Sequence, residues 1–211
     1  MESSSASVDE GRIEWCDGFE TVLKKEGEQA ESLFWLHNKA SHVASRNNDY
    51  IQIPSIVLQT VTGFLSATSG LVPPLALGAI SIFTGILSTL LSYYKFSARA
   101  EGHRVVAQLY LKLFKKIEVE MALPIKQRTT PGSLLSEVRE KLARVSEVAP
   151  DIPESVIRQY KIQFHDTETS KPIIANGLDE IIIYREPIQK LRSYPASPQP
   201  AKEQVVLEPS Q

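Results

Sequence analysis

Small and polar side chains recur at helical spacing along an otherwise apolar part of the chain. The intervals are 3, 4, 3, 4 and 3 residues in one segment and 3, 4, 3 and 4 in the next, so each set occupies one face of a helix. The first set is Gln52, Ser55, Gln59, Thr62, Ser66 and Ser69, and the second is Gly78, Ser81, Gly85, Ser88 and Ser92. In lipid, such polar stripes serve helix packing or the passage of polar solutes rather than bond-making chemistry.

Three arrangements of the polar stripes are compatible with this spacing. The two stripes can face each other inside one pair of helices, which is the plainest interpretation. They can line a water-filled path in an oligomer, where glutamine and hydroxyl side chains would be hydrated. They can also form a packing surface for another membrane protein, and the spacing alone does not choose among the three.

A second polar cluster follows the apolar segment and contains a titratable side chain. The cluster consists of Arg99, Glu101, His103 and Arg104. A histidine beside a membrane could sense protons, because its charge changes near pH 6.5. The plainer interpretation is a helix face that satisfies its own charges and contacts lipid headgroups. His37 and His42 lie five residues apart, a poor spacing for a metal site, and we interpret both as packing residues.

Motifs for other kinds of chemistry are missing from the sequence. It contains no P-loop, GxGxxG, HExxH or nucleophile-elbow pattern. The single cysteine, Cys16, can form neither an internal disulfide nor a cysteine-based metal site. A net charge of -2 argues against nucleic acid as a partner. We therefore predict a protein that is not an enzyme and needs no cofactor or metal.

The polar stripes lie in a run of 45 consecutive uncharged residues, 50–94, within a chain that is 23% charged. A helix of about 20 residues spans a bilayer core of about 30 Å, so this run fits two spans and a short turn. Gly70 suits a helix end, and Pro73 and Pro74 suit a helix start. We place the spans at about residues 51–69 and 75–94, with Pro54 in the opening turn of the first.

The two predicted spans differ in how readily they would insert into a membrane. Eleven Leu, Ile, Val or Phe residues between positions 71 and 92 contribute about -3 to -7 kcal/mol to insertion. The first span has eight such residues, opposed by two glutamines and several hydroxyls. We therefore expect the first span to insert together with the second as a helical hairpin.

The charged segments on either side of the uncharged run have opposite signs. Residues 1–49 carry a net charge of -5 and residues 95–129 carry +5. Basic residues flank both ends of the run and are missing from its turn, which predicts that both termini are cytoplasmic. The basic juxtamembrane helix would contact anionic headgroups, and the two flanking helices would pair with each other.

We predict a mainly α fold: a two-helix transmembrane hairpin with long cytosolic helical extensions and a small C-terminal helical appendage. Its regions would be a disordered N-terminus at 1–16, an N-terminal cytosolic helix region at 17–49, the hairpin at 50–94, a juxtamembrane helix at 95–124, a small soluble helical region with a short strand at 125–192, and a disordered Pro-rich tail at 193–211. Proline positions predict helices at about 131–148 and 153–164, and β-branched residues predict the strand at 181–184. No helix breaker occurs between the second span and Pro124, which predicts one continuous helix there.

Four segments of the chain resemble the SLATT group of two-transmembrane effector domains. They are FSARAEGHR at 96–104 with Tyr110 and Leu113 beyond it, IEVEMALP at 117–124, APDIP at 149–153 and KPIIANGL at 171–178. The likeness spans about residues 33–183 and is greatest to uncharacterised members in large DNA viruses. It implies a membrane-embedded helical hairpin with cytosolic helices and no catalytic residues. Bacterial members are inferred to be pore-forming effectors coupled to nucleotide-sensing systems, and we expect no nucleotide-sensing domain within these 211 residues.

Three functions follow as hypotheses from the residues and the resemblance. The first is an oligomeric, multi-pass integral membrane protein that forms a pore or perturbs the membrane. The second is a structural membrane anchor or minor virion membrane protein without transport activity, in a virion or host membrane. The third is a soluble protein that hides its hairpin until it is triggered. The first two require the lipid bilayer as a partner, and the first also requires further copies of the chain.

Overall fold

The computed structural model describes residues 14–68, 72–176 and 183, and the described residues are 83% helical with no strand among them. The prediction of a mainly α fold is confirmed. The elements are α1 at Asp17–Ala67, α2 at Pro74–Tyr94, α3 at Phe96–Ala122, a 3-10 turn at Ile125–Gln127, α4 at Pro131–Val148, α5 at Glu154–Gln163 and α6 at Ile173–Asn176. Several predicted segments lie outside the described residues. They are residues 1–13, Ser69, the tail at 193–211, and the predicted strand at 181–184 except for Ile183.

Helix α1 is one unbroken helix of 51 residues, about 77 Å long at 1.5 Å per residue. It joins the charged N-terminal segment directly to the first half of the uncharged run. Pro54 therefore lies inside α1 and not in the opening turn of a separate helix. The proline removes one backbone donor, and the helix on either side continues to make its own hydrogen bonds. The first turn begins after Cys16 and carries Asp17 and Glu20, whose charges favour a helix N-terminus.

Helices α2 and α3 are separated by a single residue, Lys95, in the left-handed conformation with φ 48° and ψ 42°. Its N–H donates to the carbonyl of Leu91 at 3.1 Å, and its own carbonyl accepts from the N–H of Arg99 at 3.0 Å. The prediction of one continuous helix after the second span is therefore wrong. A non-glycine residue in this conformation costs roughly 1 kcal/mol, so packing on either side must hold it there. The break lies where the uncharged run ends and the charged sequence begins.

Helices α2 and α3 run back along α1 in the antiparallel direction. Leu23 near the start of α1 packs with Ile117 near the end of α3, Ala30 packs with Tyr110, and His37 meets His103. Residue numbers rise along α1 as they fall along α3. Further along α1, residues of the uncharged run lie beside α2.

The hydrophobic core lies entirely in the charged parts of the chain. Helices α1, α3 and α4 share two apolar clusters, one around Leu23 and Leu134 and one around Ala30 and Val106. A third cluster joins α1 to α5 and α6 around Leu36 and Tyr160. Tyr160 also donates a buried hydrogen bond to the hydroxyl of Ser32 at 2.8 Å. We call this assembly of α1 up to residue 44 with α3, α4, α5 and α6 the helical bundle.

The opposite charges of the two flanking segments contribute little to this packing. Arg128 and Glu20 form an ion pair between them at 2.5 Å, and Arg128 also lies over the ring of Trp15. Most of the contact between α1 and α3 is made by apolar side chains. The two helices therefore associate mainly by burying apolar surface, which is the larger energetic term.

Gly27 marks a close approach of α1 to α3, and we expect Gly27→Leu to destabilise the bundle by about 1 to 3 kcal/mol. A Cβ atom at this position would lie 3.2 Å from Cγ2 of Ile117, so a larger side chain must push the helices apart. Urea unfolding followed by tryptophan fluorescence measures this, because Trp15 and Trp35 both pack in the bundle. The control is Gly102→Ala, whose Cβ would meet only ordinary contact at 3.7 Å. Equal unfolding midpoints for Gly27→Leu and wild type would contradict the prediction.

Candidate functional site

The two polar stripes lie side by side and share one open groove of about 350 Å³, here called the polar groove. Its lining is Gln59, Thr62, Gly63 and Ser66 of α1 and Ser81, Thr84, Gly85 and Ser88 of α2. Six residues of the predicted stripes are thus brought together: Gln59, Thr62, Ser66, Ser81, Gly85 and Ser88. Four further stripe residues do not line the groove, namely Gln52, Ser55, Gly78 and Ser92, and Ser69 lies outside the described residues.

Four hydroxyl groups in the polar groove, those of Thr62, Ser66, Ser81 and Thr84, donate to the backbone of their own helix. Thr62 donates to the carbonyl of Leu58 at 2.7 Å, and Ser81 donates to the carbonyl of Leu77 at 2.9 Å. Such bonds satisfy the donor and leave the oxygen lone pairs free to accept from water or another chain. Within the described residues, no side-chain hydrogen bond joins α1 to α2. The stripes therefore do not act as a polar zipper between these two helices.

Gln59 is the largest polar side chain in the groove. One of its amide hydrogens is donated to the hydroxyl of Ser55 at 3.1 Å, and the side chain is otherwise exposed. An amide left without partners in an apolar environment costs about 2 kcal/mol or more. Its remaining donor and acceptor positions therefore require water or a polar group of another molecule.

The rest of the uncharged run presents apolar side chains outward. Exposed residues of this kind are Tyr50, Ile53, Ile56, Val57, Val61, Phe64, Leu75, Ile82, Phe83, Ile86, Leu90, Tyr93 and Tyr94. Only Ser55 and Thr84 are buried among the described residues of the run, and polar residues such as Gln59 and Ser81 are exposed together with these apolar ones. A water-soluble protein rarely exposes so large an apolar surface.

One helical segment in the described part of the chain, Pro74–Ala122, is long and apolar enough to cross a membrane. Its most apolar stretch is almost entirely unburied. The uncharged half of α1 does not meet the same criterion, in agreement with its predicted marginal insertion. The described helices leave α2 uncovered on most of its surface.

The predicted juxtamembrane cluster divides into two parts on α3. Arg104 donates two hydrogen bonds to Glu101, at 2.8 and 2.7 Å, and both side chains are exposed. This hydrogen bonding lowers the pKa of Glu101 and raises that of Arg104. Arg99 is also exposed, whereas His103 points away from these residues toward α1. The cluster is therefore not one site.

His103 instead forms a buried pair with His37, a contact that the sequence analysis did not predict. Their Nδ1 atoms are 2.9 Å apart, and the two residues are 3% and 1% exposed. One ring must donate and the other accept, so the contact is lost if both rings are protonated. The ring of Tyr110 stacks on His37 with centroids 5.7 Å apart. The signal in the sequence was that both histidines lie on the apolar faces of their helices.

Burial controls the protonation of the histidine pair. Removal from water, and secondarily the nearby His103, lowers the pKa of His37 from 6.5 to about 4. Burial, and secondarily the positive charge of Arg99, also lowers the pKa of His103. Burial raises the pKa of Tyr110. At neutral pH the pair is therefore uncharged and acts as a polar contact between α1 and α3.

Residues that could hold a metal ion do not converge in the part of the chain described here. No group of three or more His, Cys, Asp or Glu side chains is placed to bind one among residues 14–68, 72–176 and 183. Cys16 is exposed. The predicted lack of a metal or cofactor stays a prediction.

Comparison with known proteins finds no family model, no curated protein and no solved structure that matches this chain. The likeness to the SLATT group therefore depends on the sequence segments quoted above and stays a prediction.

Proposed function

We propose that this chain is an integral membrane protein whose residues 50–94 form a two-helix hairpin in the bilayer, with both termini on the cytoplasmic side. We further propose that copies assemble so that their polar grooves together line a pathway for polar solutes, as a pore-forming or membrane-perturbing effector of SLATT type. The observation that carries the proposal is the polar groove, which is open to the outside and surrounded by exposed apolar side chains.

The two faces of α1 within the uncharged run suit two different environments, lipid on one side and water or protein on the other. Val57 and Val61 point away from Gln59 by about half a turn, so one face of α1 suits lipid while the other does not. The free-energy cost of placing the polar face in a membrane is lowest where water or polar groups of another copy form hydrogen bonds with it. A groove open on one side can be closed only by further protein, so a pathway requires an oligomer.

The break at Lys95 supports the proposed position of the membrane surface. Residues 50–94 are uncharged, and basic side chains follow at once in Lys95, Arg99 and Arg104. Such residues are favoured at the cytoplasmic headgroups. Tyr93 and Tyr94 are exposed at the same level, where aromatic rings suit the interface. On this basis the bundle lies in the cytoplasm and α2 crosses the membrane with the end of α1.

Ion flux in proteoliposomes tests the pathway directly. We expect the double variant Gln59→Leu, Thr62→Leu to lose at least about tenfold in flux, because polar groups that would contact permeating water become apolar. The matched control is Val57→Leu, Val61→Leu on the opposite face of the same helix, which should conduct like the wild type. Both variants are compared at equal amounts of inserted protein.

Two outcomes of the flux measurement would contradict the pathway. Equal flux in the polar-groove variant and wild type would remove the polar groove from the route. No flux in the wild type under any ionic condition would leave a membrane anchor without transport activity, and presence in purified virus particles at fixed stoichiometry would then test that function.

A further inference from the structure

Helix α3 carries a groove with a basic rim on the side that packs against α4. The groove has a volume of about 310 Å³ and is here called the basic groove. Its rim is Lys112, Lys116, Lys141 and Arg144, and its floor includes Leu109 and Leu113. Lys116 and Lys141 both contact Glu137, and Arg144 contacts Glu140. Lys112 makes no ion pair within the described residues, so its charge is available to another molecule.

A second groove, with the opposite charge, lies between α1 and α3. Its volume is about 550 Å³, and we call it the acidic groove. Its rim is Asp17, Glu20, Glu28 and Glu118, and its floor includes Phe114 and Met121. Lys24 is the basic residue in this lining, and it pairs with Glu28. Two cations outside the lining also pair with the rim, Arg128 with Glu20 and Lys115 with Glu118. The lining residues alone carry a net charge of -3 in the acidic groove and +4 in the basic groove. With the ion-pair partners Arg128, Lys115, Glu137 and Glu140 included, the values are -1 and +2, so the two grooves keep opposite signs.

The two grooves lie at similar heights along α3 but on different faces. Residues 109–116 line the basic groove and residues 114–121 line the acidic groove, so their centres differ by about 7 Å along the helix. At 3.6 residues per turn, the two faces point about 140° apart. A neighbouring copy rotated about an axis along the helices can therefore present its acidic groove to the basic groove without a large vertical shift.

We propose that the basic groove of one copy binds the acidic groove of the next, so that copies assemble head to tail around an axis perpendicular to the membrane. Each groove combines an apolar floor with a charged rim, and the two rims have opposite signs. Because the two surfaces of one copy differ, each copy can bind two neighbours, and a ring forms when the rotation closes. The inference rests on the proposed function in that it names the partner as a second copy.

Reciprocal charge reversal tests this contact in the full chain reconstituted in lipid nanodiscs or vesicles. Lys112→Glu places a carboxylate opposite Glu118 of the neighbouring copy, and Glu118→Lys places an ammonium group opposite Lys112 of the neighbouring copy. Each variant alone is expected to associate about tenfold more weakly than wild type, because like charges then face each other. A mixture of the two variants should recover association, since each copy now meets a neighbour of opposite charge. Native mass spectrometry or energy transfer between labelled copies measures the oligomer.

Matched controls are Arg139→Glu and Glu147→Lys, two exposed residues of α4 outside both grooves. They make the same charge changes and should associate like wild type. A second measurement does not depend on charge: on a Cys16→Ser background, copies with Lys112→Cys and copies with Glu118→Cys should cross-link to each other when mixed. Neither should cross-link efficiently with itself.

The outcomes separate this inference from the proposed function. Wild-type association in both single variants, or failure of the mixture to recover, overturns head-to-tail contact. A monomeric wild type in lipid also overturns it. If Lys112→Glu abolishes binding to anionic vesicles while the oligomer persists, the basic groove binds lipid and the inference is wrong. An intact oligomer without ion flux leaves the contact standing and removes only the pathway.

Discussion

A variant carrying Ile82→Asp and Ile86→Asp is expected to leave the membrane fraction. Both isoleucines belong to α2 and are 69% and 53% exposed. Placing two carboxylates near the centre of a span costs about 6 to 7 kcal/mol relative to isoleucine. This offsets most or all of the roughly -3 to -7 kcal/mol that the apolar residues of the span contribute. The favourable free energy of insertion would therefore be lost.

Carbonate-washed membranes, separated from the soluble fraction by centrifugation, provide the measurement. Ile82→Leu with Ile86→Leu keeps the apolar character and should remain in the pellet. Val119→Asp introduces a carboxylate at an exposed position of α3 and should also stay membrane-bound, because α3 lies outside the proposed bilayer. Membrane retention of the double aspartate variant would mean that α2 does not contact lipid.

Acidification from pH 7 to pH 4 is expected to weaken the helical bundle by about 3 kcal/mol through His37 alone. Burial lowers the pKa of His37 in the folded protein to about 4, whereas the unfolded chain takes up this proton near pH 6.5. The unfolded state therefore binds more protons throughout this window. Stability is fully present above pH 6.5 and is lost as the pH falls toward 4. His103 shifts in the same direction and adds to the loss.

Variants of the histidine pair isolate this pH dependence. The double variant His37→Leu, His103→Leu should be nearly neutral at pH 7 and should lose much of the slope between pH 6.5 and 4, because both polar partners are removed together. The single variant His37→Leu should cost about 1 to 3 kcal/mol at pH 7, since it leaves a buried ring nitrogen of His103 without a partner. Urea unfolding followed by tryptophan fluorescence gives each value.

The exposed His42 on the same helix supplies the control, and His42→Gln should keep the wild-type slope. A double variant that titrates like the wild type would contradict the role of the pair.

Glu137 affects stability at lower pH than the histidines do, because hydrogen bonds from Lys116 and Lys141 lower its pKa to about 2. Its contribution to the stability of the bundle is present above pH 4.5 and is lost as the pH falls toward 2. Most of the pH range in which the histidine pair affects stability, 6.5 to 4, lies above this range.

Helix ends marked by proline were predictable from local chemistry. Helix α4 begins at Pro131 and ends before Pro150, and α2 begins at Pro74, because proline suits the first turn of a helix and cannot continue one. The break at Lys95 was not predictable in this way. Neither a proline nor a glycine lies there to end a helix, so local chemistry alone does not place a left-handed residue at Lys95.

The candidate site was likewise predictable only in part from the sequence. Periodicity placed Gln59, Thr62 and Ser66 on one face of a helix, because that face depends only on residue spacing. Whether that face meets the second stripe directly or opens into a groove beside it depends on how α1 and α2 rotate against each other. The pairing of His37 with His103, which are 66 residues apart, likewise requires the register of α1 on α3.

Composition and spacing alone determined that this chain is mainly helical, that one 45-residue segment lacks charge, and that two polar faces lie within it. These properties are local, since they follow from side-chain chemistry and the helical repeat. Tertiary structure alone decided that α1 is one continuous helix, that the polar groove is open, that two histidines are buried together and that α3 carries oppositely charged grooves. Each depends on helix register and rotation, which are set by packing between residues far apart in the sequence.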